Sequence, residues 1–420
     1  MSAGHNTGEW LDGTTVLFAH PSGELYGSDR VLIESVAAVL QAGGRAFVAL
    51  PVSGPLADVL SDIGADVVLC ETPVLRKSML RPAGLFRLVK ALGSGFRAER
   101  ALVKKVRPDV IYVNTVTIPL WIAVGFVMRR PVLSHIHEAE GSASRAVNFA
   151  LNLPLLFASR VIANSRYSVA VLARTFPRLA QRTQVVYNGV VGPVSPSVAR
   201  PTLDDGLRIL YVGRLSDRKG VDVAIAALGL LRARGQRASL EIVGAVFTGY
   251  EWYEEQLRRQ IAELELTDSV RMRGFEADIW PRVEQCDVVV VPSRFDEPFG
   301  NTAVEAVLAA RAVIVSNTSG LREAAGGYQS SRAVRPGDPA ALADGLEEIA
   351  KAWPDVRRDA ESDRLVAMRR HSPETYRVTV ALVMHQLALR ERPDHGTQPA
   401  RRATEANSPV VAPSATPFTN

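Results

Sequence analysis

A chain of 420 residues exceeds the length over which one hydrophobic core keeps growing, so two domains are expected. At 47% hydrophobic and 22% charged, with a formal net charge of +5, the composition excludes a disordered, collagen-like or disulfide-stapled chain and fits an ordinary globular protein. The two cysteines, Cys70 and Cys286, are far apart, lack metal-ligand spacing and point to a reduced compartment.

The N-terminal residues, Met1 to Glu9, are polar and lack the basic-then-apolar build of a signal peptide. The longest apolar stretch, Ile118 to Met128, is too short to span a bilayer, and a cytoplasmic protein is expected. Only six of the 49 basic residues are lysine, a skew associated with GC-rich bacterial genomes; Lys219 is the single lysine between Lys105 and Lys351.

Along the first half, short apolar runs alternate with helical segments, as βαβ units do. The predicted strands are Thr15–Ala19, Arg45–Leu50, Val67–Cys70, Val110–Asn114, Val132–His135, Val161–Asn164 and Gln184–Tyr187. The segment 76–107 carries ten Arg or Lys against one acid, Glu99, with Leu85, Phe86, Leu88, Val89 and Leu92 interleaved. Such a stretch reads either as a solvated helix pair or as a peripheral contact with anionic lipid on the inner face of the plasma membrane. It lacks the aromatic interleaving that base stacking needs, so nucleic acid is not an expected partner.

A Pro/Gly/Asp-rich stretch from Gly192 to Gly206 reads as the domain linker. Beyond it the alternation resumes with Ile209–Val212, Leu240–Val243, Val270–Arg273, Val288–Val291 and Val313–Ser316, then helices over 338–351 and 373–389. From Glu391 the chain turns to Arg, Pro, Ser, Thr and Ala without periodicity and reads as a disordered tail. The expected division is 14–195, 205–370, a last helix over 371–390, and the tail 391–420.

Two glutamates, Glu297 and Glu305, bracket the turn between the valine run ending at Pro292 and the helical segment from Thr302, in Arg294-Phe-Asp-Glu-Pro-Phe-Gly-Asn-Thr-Ala-Val-Glu305. In an open α/β sheet the crevice beyond the strand ends is where ligands bind. Pro298 and Gly300 allow close approach of backbone, and free amides at a helix start suit a phosphate. One carboxylate in the loop and one a turn into the helix can each grip a pair of hydroxyls, which points to a nucleotide sugar.

Glu297-Pro-Phe-Gly300 followed by Glu305 resembles the signature of the retaining glycosyltransferases of family 4, also called group 1. Ile209-Leu-Tyr-Val-Gly-Arg-Leu-Ser-Asp-Arg-Lys-Gly220 resembles that family's strand, then Gly-Arg-Leu, then Lys-Gly. The resemblance covers roughly Thr14 to Leu389. It implies the α/β GT-B fold: two Rossmann-like doubly wound domains facing across a cleft, with the C-terminal helix crossing back to the N-terminal domain. The implied activity is metal-independent transfer of a sugar from a nucleotide-diphosphate sugar, a co-substrate and not a bound cofactor. A hydroxyl acceptor is implied, on a glycolipid, a cell-envelope polysaccharide precursor or a small glycoside. Retention without an obvious nucleophile implies a same-face mechanism.

By resemblance Arg214 and Lys219 meet the diphosphate, Glu305 the ribose hydroxyls, and Glu297 the donor sugar, with Gly213 and the amides of Phe299, Gly300 and Asn301 completing the cradle. Gly27, in Pro21-Ser-Gly-Glu-Leu-Tyr-Gly-Ser-Asp29, stands where the family has a glycine-rich loop. Glu24 and Tyr26 are candidate acceptor contacts; Asp29 is a third, or a helix cap. His137 resembles the family's strand-end histidine near the anomeric carbon, while His135 reads as core. No metal site is expected: Asp204-Asp205 lies in the linker, and His135 and His137 are taken to point to opposite faces of their strand. A bulkier Ala245-Val-Phe-Thr-Gly-Tyr250 replaces the family's Gly-rich turn. A nucleotide-sugar epimerase or hydrolase on the same fold, and a non-catalytic nucleotide-sugar-binding subunit, are the alternative functions.

Overall fold

Apolar runs rich in valine and isoleucine pair into two all-parallel sheets, the arrangement favoured when helices cover both faces of a strand. The computed structural model describes residues 10–75, 82–139, 141, 143–247 and 249–389, with only the backbone over 82–89. Among these residues the first sheet has seven strands: β1 (Thr15–Ala19), β2 (Arg45–Leu50), β3 (Asp66–Leu69), β4 (Val110–Val113), β5 (Val132–Ile136), β6 (Arg160–Ala163) and β7 (Gln184–Val185). The second has six: β8 (Leu207–Val212), β9 (Ala238–Val243), β10 (Val270–Gly274), β11 (Val288–Val291), β12 (Ala312–Ser316) and β13 (Ser331–Val334). Their orders are β3-β2-β1-β4-β5-β6-β7 and β10-β9-β8-β11-β12-β13.

Each strand expected from the sequence is present, its ends shifted by at most two residues. β13 was not expected: Ser-Arg-Ala-Val has no apolar run, and as an edge strand it is only partly covered. The helix Trp353–Arg370 also escapes the hydrophobic pattern, since five arginines interrupt it. The expected tail 391–420 and residues 76–81 of the basic segment lie outside the described residues. No helix among those described is long and apolar enough to cross a membrane.

Each sheet reverses its winding once. β1 pairs with β2 on one side and β4 on the other; β8 pairs likewise with β9 and β11. The crevices beyond these strand ends are the places such sheets offer a ligand, and here they face each other.

Helices line both faces of the first sheet. On one face, Gly27–Gln41 and Pro55–Asp62 share a core with the last helix, Pro373–Leu389, through Val31, Leu56, Val380 and Met384. That last helix is fixed by Tyr376 Oη and Ser35 Oγ, 2.6 Å apart, and by Arg377 donating to Glu34 at 2.7 Å. On the other face lie Pro82–Val106, Leu120–Val127 and Arg166–Ala173, packed through Leu102, Trp121 and Leu172.

That second face holds a misplaced carboxyl group. Glu99 is fully buried, neither carboxyl oxygen has a hydrogen-bond partner, and burial pushes its pKa up to about 9. The folded chain therefore keeps the carboxyl protonated where the unfolded chain ionises it, so stability falls as pH rises from about 4.5 to about 9. Glu99→Leu is expected to stabilise the protein at pH 8 by about 1–3 kcal/mol, the cost of a buried polar group left unpaired. The gain should shrink toward pH 4.5 in urea unfolding; an equal or negative effect at pH 8 would show that the carboxyl has a partner.

Candidate functional site

The two crevices form one cleft of about 810 Å³. Its C-terminal wall comes from the loops after β8 and β11. The first makes a 3-10 turn over Asp217–Lys219 and then bends at Gly220, whose φ is +69° and where a Cβ would run into the carbonyl of Pro292. That contact pins the β8 loop against the β11 loop. The second loop ends at Gly300, with φ +128°, where a side chain would collide with Leu321. Only glycine suits this backbone beside the start of the helix Asn301–Leu308.

The two loops bring opposite charges together. Lys219 Nζ is 2.8 Å and Arg218 Nη1 is 3.1 Å from Glu297 Oε1, which also accepts from Ser293 Oγ at 2.9 Å. Burial alone would raise the Glu297 carboxyl, but Lys219 and Arg218 outweigh it and hold the pKa below the usual range. Lys219 is itself held below the ordinary lysine range, first by burial and then by its arginine neighbours, although Glu297 opposes this. Glu305 is different. It is 8% exposed, has no hydrogen-bond or ion-pair partner among the described residues, and burial raises its pKa with only Arg30 to counter. A carboxylate in that state is open to hydroxyl donors from a ligand.

The N-terminal wall carries Tyr26, Gly27 and His137, opposite Gly213, Arg214, Phe299, Gly300 and Asn301. Asn301 spans the gap: its Nδ2 donates to the Gly27 carbonyl at 3.2 Å, and its Oδ1 accepts from Asn188 Nδ2 at 2.7 Å. Arg214 also spans it. Its guanidinium lies between the rings of Tyr26 (4.2 Å) and Phe247 (3.5 Å) and pairs with Glu24 at 2.9 Å. The bulkier loop after β9 thus supplies one face of an aromatic clamp on a cleft cation.

Two of the three expected acceptor contacts are placed differently. Glu24 does not line the cleft; it holds Arg214. Asp29 is buried at 3% exposure and its oxygens are occupied, accepting from His20 Nε2 (2.6 Å), Ser22 Oγ (3.0 Å) and the Tyr26 amide (2.7 Å). Asp29 is a cap and an anchor, because its acceptor capacity is spent on the loop that carries it. The expectation that His135 and His137 point apart also fails: residues two apart share a face, and the rings are 3.9 Å apart.

From Asp29 a buried chain runs to His137. The His20 Nε2–H donates to Asp29, Asn114 Nδ2 donates to His20 Nδ1 at 3.0 Å, and His137 Nε2–H donates to Asn114 Oδ1 at 2.9 Å. In this order every contact along the line pairs a donor with an acceptor, which assigns the His137 proton to Nε2 and leaves Nδ1 as an acceptor. Arg218, Glu24 as a partner of Arg214, and the pair His20–Asn114 were not expected. Arg218 had a signal, its adjacency to Lys219; the other pair, 94 positions apart, had none. Among the described residues no group of three potential metal-ligating side chains gathers. The Gly320-Leu-Arg-Glu323 turn is structural: Glu323 accepts from the amides of Arg166 and Tyr167 and from Tyr187 Oη.

Burial, reinforced by His20, holds the His137 pKa down at about 3, and His371, with neither ring nitrogen bonded, is likewise near 3. Both are neutral in the folded chain, and the unfolded chain binds more protons below about pH 6.5. Stability is therefore lost as pH falls from there toward 3. Histidine-selective NMR should show neither ring titrating between pH 5 and 8; a midpoint for His137 inside that window would break the proposed proton order.

Known proteins with related sequences and structures now give the arrangement a lineage. The family model described as "Glycosyl transferases group 1" matches residues 199–363, and "Glycosyltransferase Family 4" matches 25–191. The glycogen synthase of Mycobacterium tuberculosis is 30% identical over 272 residues, 61% of this chain and 64% of its own length, so the chain spans just under two thirds of that relative. The D-inositol 3-phosphate glycosyltransferase of Paenarthrobacter aurescens is 30% identical over 228 residues, covering 51% of this chain and 54% of that enzyme. Among solved structures, Anabaena HepE in complex with UDP-glucose superimposes with a TM-score of 0.74 at 25% identity, over 89% of this chain and 99% of that one. With one family match in each half and a matching two-sheet architecture, the chain belongs to the group 1 glycosyltransferases of GT-B fold.

Proposed function

We propose that the protein transfers a sugar from a nucleoside diphosphate sugar to a hydroxyl acceptor, with retention at the anomeric carbon and without a metal ion. The observation that carries this reading is the pairing of cations with unequal acids in one cleft. Lys219, Arg218 and Arg214 gather beside an ionised Glu297, while Glu305 stays buried and uncommitted.

In this reading the cations and the amides at the start of Asn301–Leu308 take the diphosphate, whose charge grows as the bond from the anomeric carbon to phosphate oxygen breaks. The diphosphate shares or replaces Glu24 on Arg214. Glu305 accepts from the ribose hydroxyls, and Glu297 orients the sugar and offsets positive charge on its ring. His137 stands on the opposite wall with a neutral ring. The acceptor hydroxyl forms the new bond on the same face, and its proton passes to the departing phosphate oxygen. The acceptor docks on the N-terminal wall, near Tyr26 and Gly27, and closing of the two walls excludes water. A cytoplasmic site of action, on a glycolipid, polysaccharide precursor or small glycoside, accompanies this reading. HepE binding UDP-glucose ranks uridine donors first for trial.

Lys219→Ala should lower the transfer rate by about a hundredfold or more, as loss of a group stabilising developing charge does; a change of less than about threefold would remove it from the site. Glu297→Ala should depress turnover much more than donor affinity, and wild-type turnover would refute its role. A thermal-shift series with UDP, GDP, dTDP and ADP sugars should show one base raising the unfolding temperature above the others. Labelled donor incubated without acceptor separates the classes: rapid conversion marks an epimerase or hydrolase, and tight binding without any turnover marks a binding subunit.

A further inference from the structure

One helical segment of the N-terminal half buries asparagines while several of its large apolar side chains stay half-exposed. Arg145–Asn152 continues as a 3-10 turn over Leu153–Phe157. Its inward positions include two asparagines, Asn148 and Asn152, at 5% and 7% exposure. Their amides are satisfied by the segment's own backbone: Asn148 Nδ2 donates to the Ala143 carbonyl and Asn152 Nδ2 to that of Asn148. Its outward positions are apolar, with Phe149 at 47%, Leu156 at 49% and Phe157 at 52% exposure. The adjoining helix Leu120–Val127 ends the same way. Phe126 and Val127 are 59% and 60% exposed, and the Phe126 ring meets Phe157 at 5.1 Å. A globular helix facing only water has the opposite polarity, and a contiguous exposed apolar patch marks an interaction surface.

Charge selects the occupant. Arg129 and Arg130 follow the patch on one helix, and Arg145 and Arg160 flank it on the other. From Thr115 to Thr183 the chain has eight arginines and two acids, Glu138 and Glu140; Glu138 is turned inward onto Thr115 and the Val116 amide. The same face of the sheet carries Pro82–Val106, whose exposed residues include Lys90, Arg97, Lys104 and Lys105. A second copy of this chain seated on the patch would bring these cations against each other. An anionic bilayer satisfies the apolar centre and the cationic rim together.

We propose that the outer face formed by the end of Leu120–Val127 and by residues 145–157 is a membrane-docking surface. The aromatic and leucine side chains enter the interfacial layer and the flanking arginines meet anionic headgroups. This moves the apolar part of the expected lipid contact from the segment 76–107, whose interleaved apolar side chains at 85–89 are outside the described ones, to a neighbouring helix pair. It is independent of the donor reading.

Flotation of the full chain with vesicles tests this. Binding is expected to phosphatidylglycerol and phosphatidylcholine in equal parts at low salt, reduced by salt and weak on phosphatidylcholine alone. Phe149→Ser with Phe157→Ser should lower the bound fraction at least about tenfold, with an unchanged unfolding temperature and unchanged thermal shift by UDP-glucose. Lys104→Glu with Lys105→Glu should also weaken binding and serves if the serine pair does not fold. No flotation of the wild type, or flotation of either variant equal to wild type, overturns the proposal. Concentration-dependent dimerisation in light scattering that the serine pair abolishes, without vesicle binding, would assign the face to a second copy instead.

Discussion

The cleft depends on a pair of charges that water would otherwise separate. Lys219 and Glu297 stand 2.8 Å apart at the ends of neighbouring strands, β8 and β11, both largely withdrawn from solvent. A buried charge is tolerated only where an opposite charge and hydrogen bonds accompany it. Ser293 and Arg218 supply those bonds, and the Gly220 bend against the Pro292 carbonyl brings the two loops close enough for the pair to form. The pair therefore does two things at once. It fixes the spacing of the two loops, and it keeps Glu297 ionised in a place where burial alone would neutralise it.

Around that pair the cations are not equally free. Lys219 and Arg218 share Glu297, while Arg214 is clamped by Tyr26, Phe247 and Glu24. The clamp draws one residue from the C-terminal half and two from the N-terminal half onto one guanidinium. A ligand reaching Arg214 thus meets a group whose position reports on both walls. Glu305 is the complementary case, a carboxylate close to a helix start whose desolvation only Arg30 opposes, and not enough to cancel it.

Much of this was legible because parallel strands buried on both faces read as continuous valine and isoleucine runs. Val288–Val291 shows it plainly, and the alternation of such runs with helices led directly to the fold. The loop residues of the C-terminal wall were legible too, since glycine, proline and charge crowd into short stretches after the strands. What escaped was whatever depended on distance in sequence or on facing. His20, Asn114 and His137 form one hydrogen-bonded line, but no local spacing announces it. Asp29 carries the same residue type a ligand contact would have, and only its surroundings show that its oxygens are taken. The helix 145–152 has a regular amphipathic period, yet periodicity does not say which side turns inward. Asn148 and Asn152 lie on the side that leucine would usually occupy.

The chain passes between its two halves twice, once near Tyr187–Val190, ahead of the expected linker Gly192–Gly206, and again at His371. The Val190 amide donates to the His371 carbonyl at 3.1 Å, and the His371 ring lies against Phe299 and Tyr187. Two crossings stitched side by side make one seam between the halves. Because Phe299 belongs to the β11 loop, that seam is fastened to the C-terminal wall of the cleft at its root. Asn301, two residues on, carries the same loop across to the Gly27 carbonyl, so seam and cleft share one piece of backbone.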